Sequence, residues 1–232
     1  MSSLTPEDLG AVLLSLKVAL AATLVALPIA IAAALAQARG RFVLRVVLDA
    51  AVTLPLVLPP VATGYVLLLL FGRRGALGAW LEKAGIVFAF DWTGAALAAG
   101  VMAFPLMVRP IRLAIEAVDR EVDEVARTLG AGRVTRFFRV TLPLAAPGVA
   151  GGAILGFAKA LGEFGATITF VAAIPGETLT LPAAIYGATQ SPGGEARAAA
   201  LCLIAAIIAV AAVLVSDAVG RWAGRAARGE RA

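Results

Sequence analysis

Long uninterrupted runs of Leu, Ala, Val and Ile decide the class of this chain. Ala11–Ala36 holds one charged residue, Lys17, and similar windows recur further along. A bilayer core about 30 Å thick calls for about 20 such residues in a helix. Backbone amides in lipid find partners only in helices or closed barrels. Barrel strands alternate apolar and polar residues, and these runs do not. Composition agrees: 61% hydrophobic and 15% charged, against about 25% charged in soluble domains. The expected fold class is therefore all-α, a polytopic membrane protein. The first run exceeds the roughly 7–15 apolar residues of a signal peptide, so it reads as a retained span.

Five transmembrane helices are expected, over about 11–36, 46–71, 92–117, 147–171 and 198–219, after a short segment 1–10. Thr5-Pro6-Glu7-Asp8 reads as a helix start: a capping hydroxyl, proline at the first position and acids in the first turn. Threading five spans sorts the basic residues to one side. Arg39, Arg41 and Arg45 fall there, with Arg109, Arg112, Arg120, Arg127, Arg133, Arg136 and Arg139, and with Arg221, Arg225, Arg228 and Arg231 in the tail 220–232. Only Arg73, Arg74, Lys83 and Arg197 face the other side. By the positive-inside rule the N-terminus is outside and the C-terminus cytoplasmic. The net charge of +5 is topological, which excludes nucleic acid as a partner. Outside, 72–91 reads as an interfacial stretch and 172–195 as an ordered loop with a short helix near 183–186.

Within the spans, Pro28, Pro55, Pro59, Pro60 and Pro105 each remove a backbone hydrogen bond. They are packing kinks, or they mark helices that hinge or line a pathway. Gly148, Gly152 and Gly156 form a stripe at every fourth residue, the pattern that lets helix backbones approach closely in lipid. The partner is another span or a second copy. Further along the same expected helix, Lys159 and Glu163 are four apart and can pair. At that depth they are a structural ion pair or face a wet cavity. Thr167 and Thr169 line a polar route or bond back to their own helix.

Asp119–Pro143 is different in kind, a charge-dense island between greasy segments. Asp119–Leu129 is expected as a helix stopped by Gly130, and Arg133–Phe138 as a second. Together they offer Val125, Leu129, Phe137 and Phe138 among charges, either a knob for a cytoplasmic partner or a solvated loop.

Glu124-Val125-Ala126, Gly130, Val140 and Leu142-Pro143 stand at the spacing Glu-Ala-Ala-x3-Gly-x9-Ile-x-Leu-Pro. This resembles the cytoplasmic signature of ABC-importer permeases, with Val125 and Val140 as conservative departures. Leu54–Pro60 with Gly64-Tyr65, Phe104–Arg109, Ala126–Gly132, Leu161–Val171, Ile174–Thr178 and Ser191–Glu195 extend the likeness over almost the whole chain. The run is similar to the molybdate permeases of bacterial importers; sulfate permeases share the loop, so sulfate or tungstate stay open. The resemblance implies a type I ABC importer permease fold, working as a homodimer in the bacterial inner membrane. It implies two ABC ATPase subunits, carrying ATP and Mg, docked on the loop through Glu124, Val125, Ala126, Leu129, Gly130, Val140, Leu142 and Pro143. A periplasmic binding protein would deliver the oxyanion, and the spans would move by alternating access. Lys159, Glu163, Thr167, Thr169, Pro59 and Pro60 are the expected pathway or gate residues, with Gly148, Gly152 and Gly156 packing helices; Lys17, Lys159, Arg73 and Arg74 are candidates for guiding the oxyanion.

Independently, the sequence lacks G-x-x-x-x-G-K-[ST] and so has no phosphate cradle of its own. It holds no histidine and one cysteine, Cys202, so no disulfide, metal or cofactor site is expected within it. No nucleophile-and-base pair suggests an enzyme. The rival from another class is an ion-coupled secondary transporter using Lys159 and Glu163.

Overall fold

A computed structural model describes residues 4–40 and 42–227; Arg41, Arg228 and Arg231 lie outside them. The chain opens on α1 (Pro6–Arg39) with a full capping box: the Thr5 amide donates to Asp8 Oδ2 at 2.8 Å and the Asp8 amide to Thr5 Oγ1 at 3.3 Å. It continues through α2 (Phe42–Val57), α3 (Pro60–Phe71), the short α4 (Gly78–Lys83) and α5 (Trp92–Glu116). After these come α6 (Arg120–Thr128), α7 (Arg133–Arg136), a wide π turn at Phe137–Thr141, α8 (Leu142–Leu144), α9 (Ala146–Leu161), α10 (Gly165–Val171), α11 (Leu181–Thr189) and α12 (Glu195–Ala227).

The bundle is organised around α5, which packs along α1 on one side and α9 on the other. Most of its apolar window is buried, whereas α12 turns most of its surface outward. Small side chains make the α1–α5 approach close: Ala19, Ala95, Ala98 and Ala99 are wholly buried, and dispersion contacts between them replace the hydrophobic drive that lipid removes. Lower in the bundle Met107, Val108 and Ile111 fill the space between α1 and α9. At the opposite end two polar links tie distant segments. Arg197 grips the buried Asp8 carboxylate with two nitrogens, Nη2 at 2.6 Å and Nε at 3.0 Å, and Ser15 Oγ accepts the Leu181 amide at 2.6 Å.

α1, α5 and residues Glu195–Val215 are each long and apolar enough to cross a membrane; two bent helix pairs raise the number to five. Here the expected second span needs correction. It is not one rod over 46–71, because α2 and α3 meet at 111°. The fourth is interrupted as well, by residues 162–164 between α9 and α10. Of the prolines read as breaks, Pro28, Pro55 and Pro105 sit inside continuous helices. Only Pro59-Pro60 ends one, since the first proline bars the helix at Leu58 and the second suits the first turn of the next. The helix expected near 183–186 is longer, spanning Leu181–Thr189, and α12 carries helix into the tail as far as Ala227.

Candidate functional site

The island folds into two short helices and a wide turn. Asp119 caps α6, its Oδ1 accepting the Glu121 amide at 2.9 Å, and acids at Glu121 and Asp123 suit the positive end of the dipole. Gly130 stops α6 with φ +84°, the left-handed conformation that L side chains resist. The second helix is shorter than Arg133–Phe138: it gives way at Phe137 to the π turn, and Phe137 and Phe138 stack edge to face at 5.0 Å.

Val122 and Val125 of α6 and Leu129, which follows its last turn, are all exposed, Leu129 at 82%. Val134 and Phe138 are exposed beside them in sequence on α7 and the turn. Glu124, Gly130 and Pro143 are exposed too, while Ala126, Val140 and Leu142 are half-buried. The signature therefore divides into an outward set free to meet another chain and an inward set that seats the loop.

Four polar residues to which the sequence assigns no individual contact, Arg39, Asp123, Arg136 and Thr141, hold this loop in place. Arg136 Nη1 donates to Asp123 Oδ2 at 2.7 Å, joining α7 to α6. Arg39, the last residue of α1, donates to the buried Thr141 at 2.8 Å and lies 3.8 Å from Asp123. Nearby, Glu116 at the end of α5 is shared by Arg45 and Arg112, and Arg112 also reaches Asp49 of α2. Apart from Arg112–Glu116, four apart on α5, no periodicity announces these pairs, because their partners lie on different elements. The loop is thus fastened to the first span and adjoins the third.

The expected pathway residues gather where the two broken spans meet. A Cβ on Gly165 would fall 2.7 Å from Pro60 Cβ, and one on Gly64 would fall 2.9 Å from both Ala166 Cα and Thr169 Cβ. So α3 and α10 touch backbone to backbone, and the break at Pro59-Pro60 abuts the break at 162–164. Lys159 Nζ lies 2.6 Å from Glu163 Oε2, but not along one helix as expected, since α9 has already ended at Leu161. Glu163, almost completely buried, instead bridges the gap, its Oε1 accepting the Ala166 amide at 3.0 Å at the start of α10. The pair is self-neutralising. Thr167 Oγ1 donates to Phe164 O at 2.9 Å and Thr169 Oγ1 to Gly165 O at 2.8 Å, so both hydroxyls bond back to their own segment.

The glycine stripe faces α5 of the same chain. A side chain at Gly148 would strike Ala114, at Gly152 the Met107 carbonyl, and at Gly156 the Met107 side chain.

Comparison with known proteins places this geometry in a lineage. Residues 26–229 match the family model of the binding-protein-dependent transport system inner membrane component. The chain is 54% identical over 230 residues to the molybdenum transport system permease protein ModB of Escherichia coli (strain K12), covering 99% of this chain and 98% of that one. With the ModB of Haemophilus influenzae it shares 48% over 211 residues, 90% of this chain and 92% of the relative. Among solved structures, a bacterial ABC transporter involved in alginate import superposes with TM-score 0.75 at 18% identity, covering 94% of this chain and 80% of that chain. The MetNI methionine ABC transporter, in an inward-facing form, gives 0.67 at 17% identity, over 95% of this chain and 99% of that chain. The fold is that of an ABC importer permease, and the chain belongs to the family of binding-protein-dependent transport system inner membrane components.

Proposed function

We propose that this chain is the membrane-spanning subunit of an ATP-driven importer for molybdate, working as a homodimer in the inner membrane. Two separate ATPases dock on residues 119–143, and a periplasmic protein delivers the oxyanion. The observation that carries the substrate is 54% identity across nearly the full length of a molybdenum permease, since it extends well beyond the docking loop that permeases for other substrates share. The outward apolar set Val122, Val125, Leu129 supports docking: a cytoplasmic surface of that kind is stable in water when covered.

Coupling follows from the fastening of the loop. ATP binding draws the ATPases together and pulls both loops; through Arg39 and Asp123 the pull reaches α1, and through the turn at Ala145 it reaches α9. The bundle then rocks between inward-open and outward-open states, a rigid-body change of the hinge type. The abutting breaks of α3 and α10 are the place where the cavity gates. Selectivity rests with the binding protein, because the lysine nearest the breaks is neutralised by Glu163. Membership of a binding-protein-dependent family displaces the ion-coupled reading.

The test is co-purification followed by reconstitution. A stoichiometric ATPase should accompany the permease. Liposomes holding the complex should take up labelled molybdate only with ATP and loaded binding protein. Preference for sulfate under the same conditions would correct the substrate, and uptake by this chain alone on an ion gradient would overturn the class.

A further inference from the structure

We propose a phospholipid site on the face between α1 and α5, in which an anionic headgroup rests on Lys17 and one acyl chain fills the groove below it. The groove encloses about 540 Å³, inside the roughly 300–1,000 Å³ range of small-ligand sites. Val25 and Ile29 of α1 form one wall, Leu97, Gly100 and Phe104 of α5 the other, and Pro55 of α2 completes it. The lining is almost wholly apolar, so neither an oxyanion nor water has a partner there. None of the expected gate residues lines it.

Charge marks one end. Lys17 Nζ sits over the Trp92 ring at 3.6 Å, Trp92 itself lines the groove, and Lys17 makes no ion pair among the described residues. Asp91, the nearest acid in sequence to that ring, has its Oδ1 engaged by Thr93. An exposed ammonium in a span calls for a counter-charge, and tryptophan favours the level of the lipid headgroups. The distance fits as well. Ile29 is twelve residues beyond Lys17, about 18 Å along a helix, close to the roughly 15 Å of one leaflet's hydrocarbon. A cation at the interface and an apolar slot one leaflet deep are the two halves of a phospholipid's own chemistry. The proposal stands whichever oxyanion is carried, and its readout is binding, not transport.

The experiment adds dioleoylphosphatidylglycerol to the purified full chain in detergent and counts retained lipid by native mass spectrometry. Wild type should hold one lipid per chain and prefer it to phosphatidylcholine. Gly100→Leu should weaken retention at least about tenfold: Gly100 lines the slot, and a Cβ there lies in ordinary contact with Ala22, 3.7 Å away. Val25→Trp, at an exposed position, should do the same and serves if Gly100→Leu does not fold. Lys17→Gln should keep an acyl chain but lose the preference for the anionic lipid. Equal retention by wild type and a folded groove-filling variant would overturn the site. So would an intermolecular disulfide from Val25→Cys in membranes, which would give the groove to a second copy.

Discussion

Arg136 Nη1 lies 2.7 Å from Asp123 Oδ2, and this contact makes one body of two helices too short to be stable alone. Asp123→Ala should free α6 from α7 and from Arg39 together. A hydrogen bond to a charged group contributes about 1.5–3 kcal/mol, enough to populate misdocked loops. Substrate-stimulated ATP hydrolysis by the reconstituted complex should fall about tenfold or more, with the amount of inserted permease unchanged. Full stimulation would show that the loop keeps its shape without the clamp.

Gly130 tests the same loop by its backbone. Its φ of +84° stands in open space, so a substitution meets no neighbour and costs only conformational energy, about 1–2 kcal/mol for an ordinary residue. Gly130→Asn should keep most uptake, because Asn tolerates this region. Gly130→Val, whose branched side chain resists this region most, should lower uptake and stimulated hydrolysis about tenfold while insertion persists. Equal activity in the two variants would remove the conformational argument.

These residues also show what a single sequence discloses. The spans were legible because lipid imposes length and apolarity at once, and the loop because its signature has fixed spacing. Gly130 was legible as a stop because a left-handed turn admits few residue types. The 111° bend was only half legible: Leu54–Pro60 announced a break, but its angle follows from α3 packing on α10, a contact between segments a hundred residues apart. Arg39, Asp123, Arg136 and Thr141 carried no signal, since each makes its bond to another element. Glu163 was half legible for a related reason: spacing of four announced its pairing with Lys159, which forms, but not that the helix ends between the partners.

The stripe on α9 separates packing from assembly. Gly156→Leu would drive its side chain into Met107, and Gly152→Leu into the backbone of α5; overpacking of this kind costs about 1–3 kcal/mol or more. Both should lower the melting temperature of the detergent-purified chain. Gly151→Leu, with nothing within 4 Å, should not. If Gly151→Leu instead lowers melting while Gly156→Leu leaves it unchanged, the stripe's contact is with another copy and not with α5.

Glu163→Gln asks whether the ion pair holds the broken span together. Glutamine keeps the shape and can still accept the Ala166 amide, but it leaves the Lys159 ammonium without its counter-charge. Glu163 is almost completely buried and Lys159 less than a third exposed, so the loss should approach the lower end of the 3–5 kcal/mol for one partner of a buried pair. The melting temperature should drop by several degrees. Replacing both residues by methionine should recover most of it, as apolar substitutes for a buried pair commonly do. Uptake then decides the role: recovery of both stability and uptake makes the pair a brace for the gap between α9 and α10. Recovered stability with uptake still lost assigns the charges to the gate. Unchanged melting in Glu163→Gln would mean that packing of α10 against α3 holds the break without them.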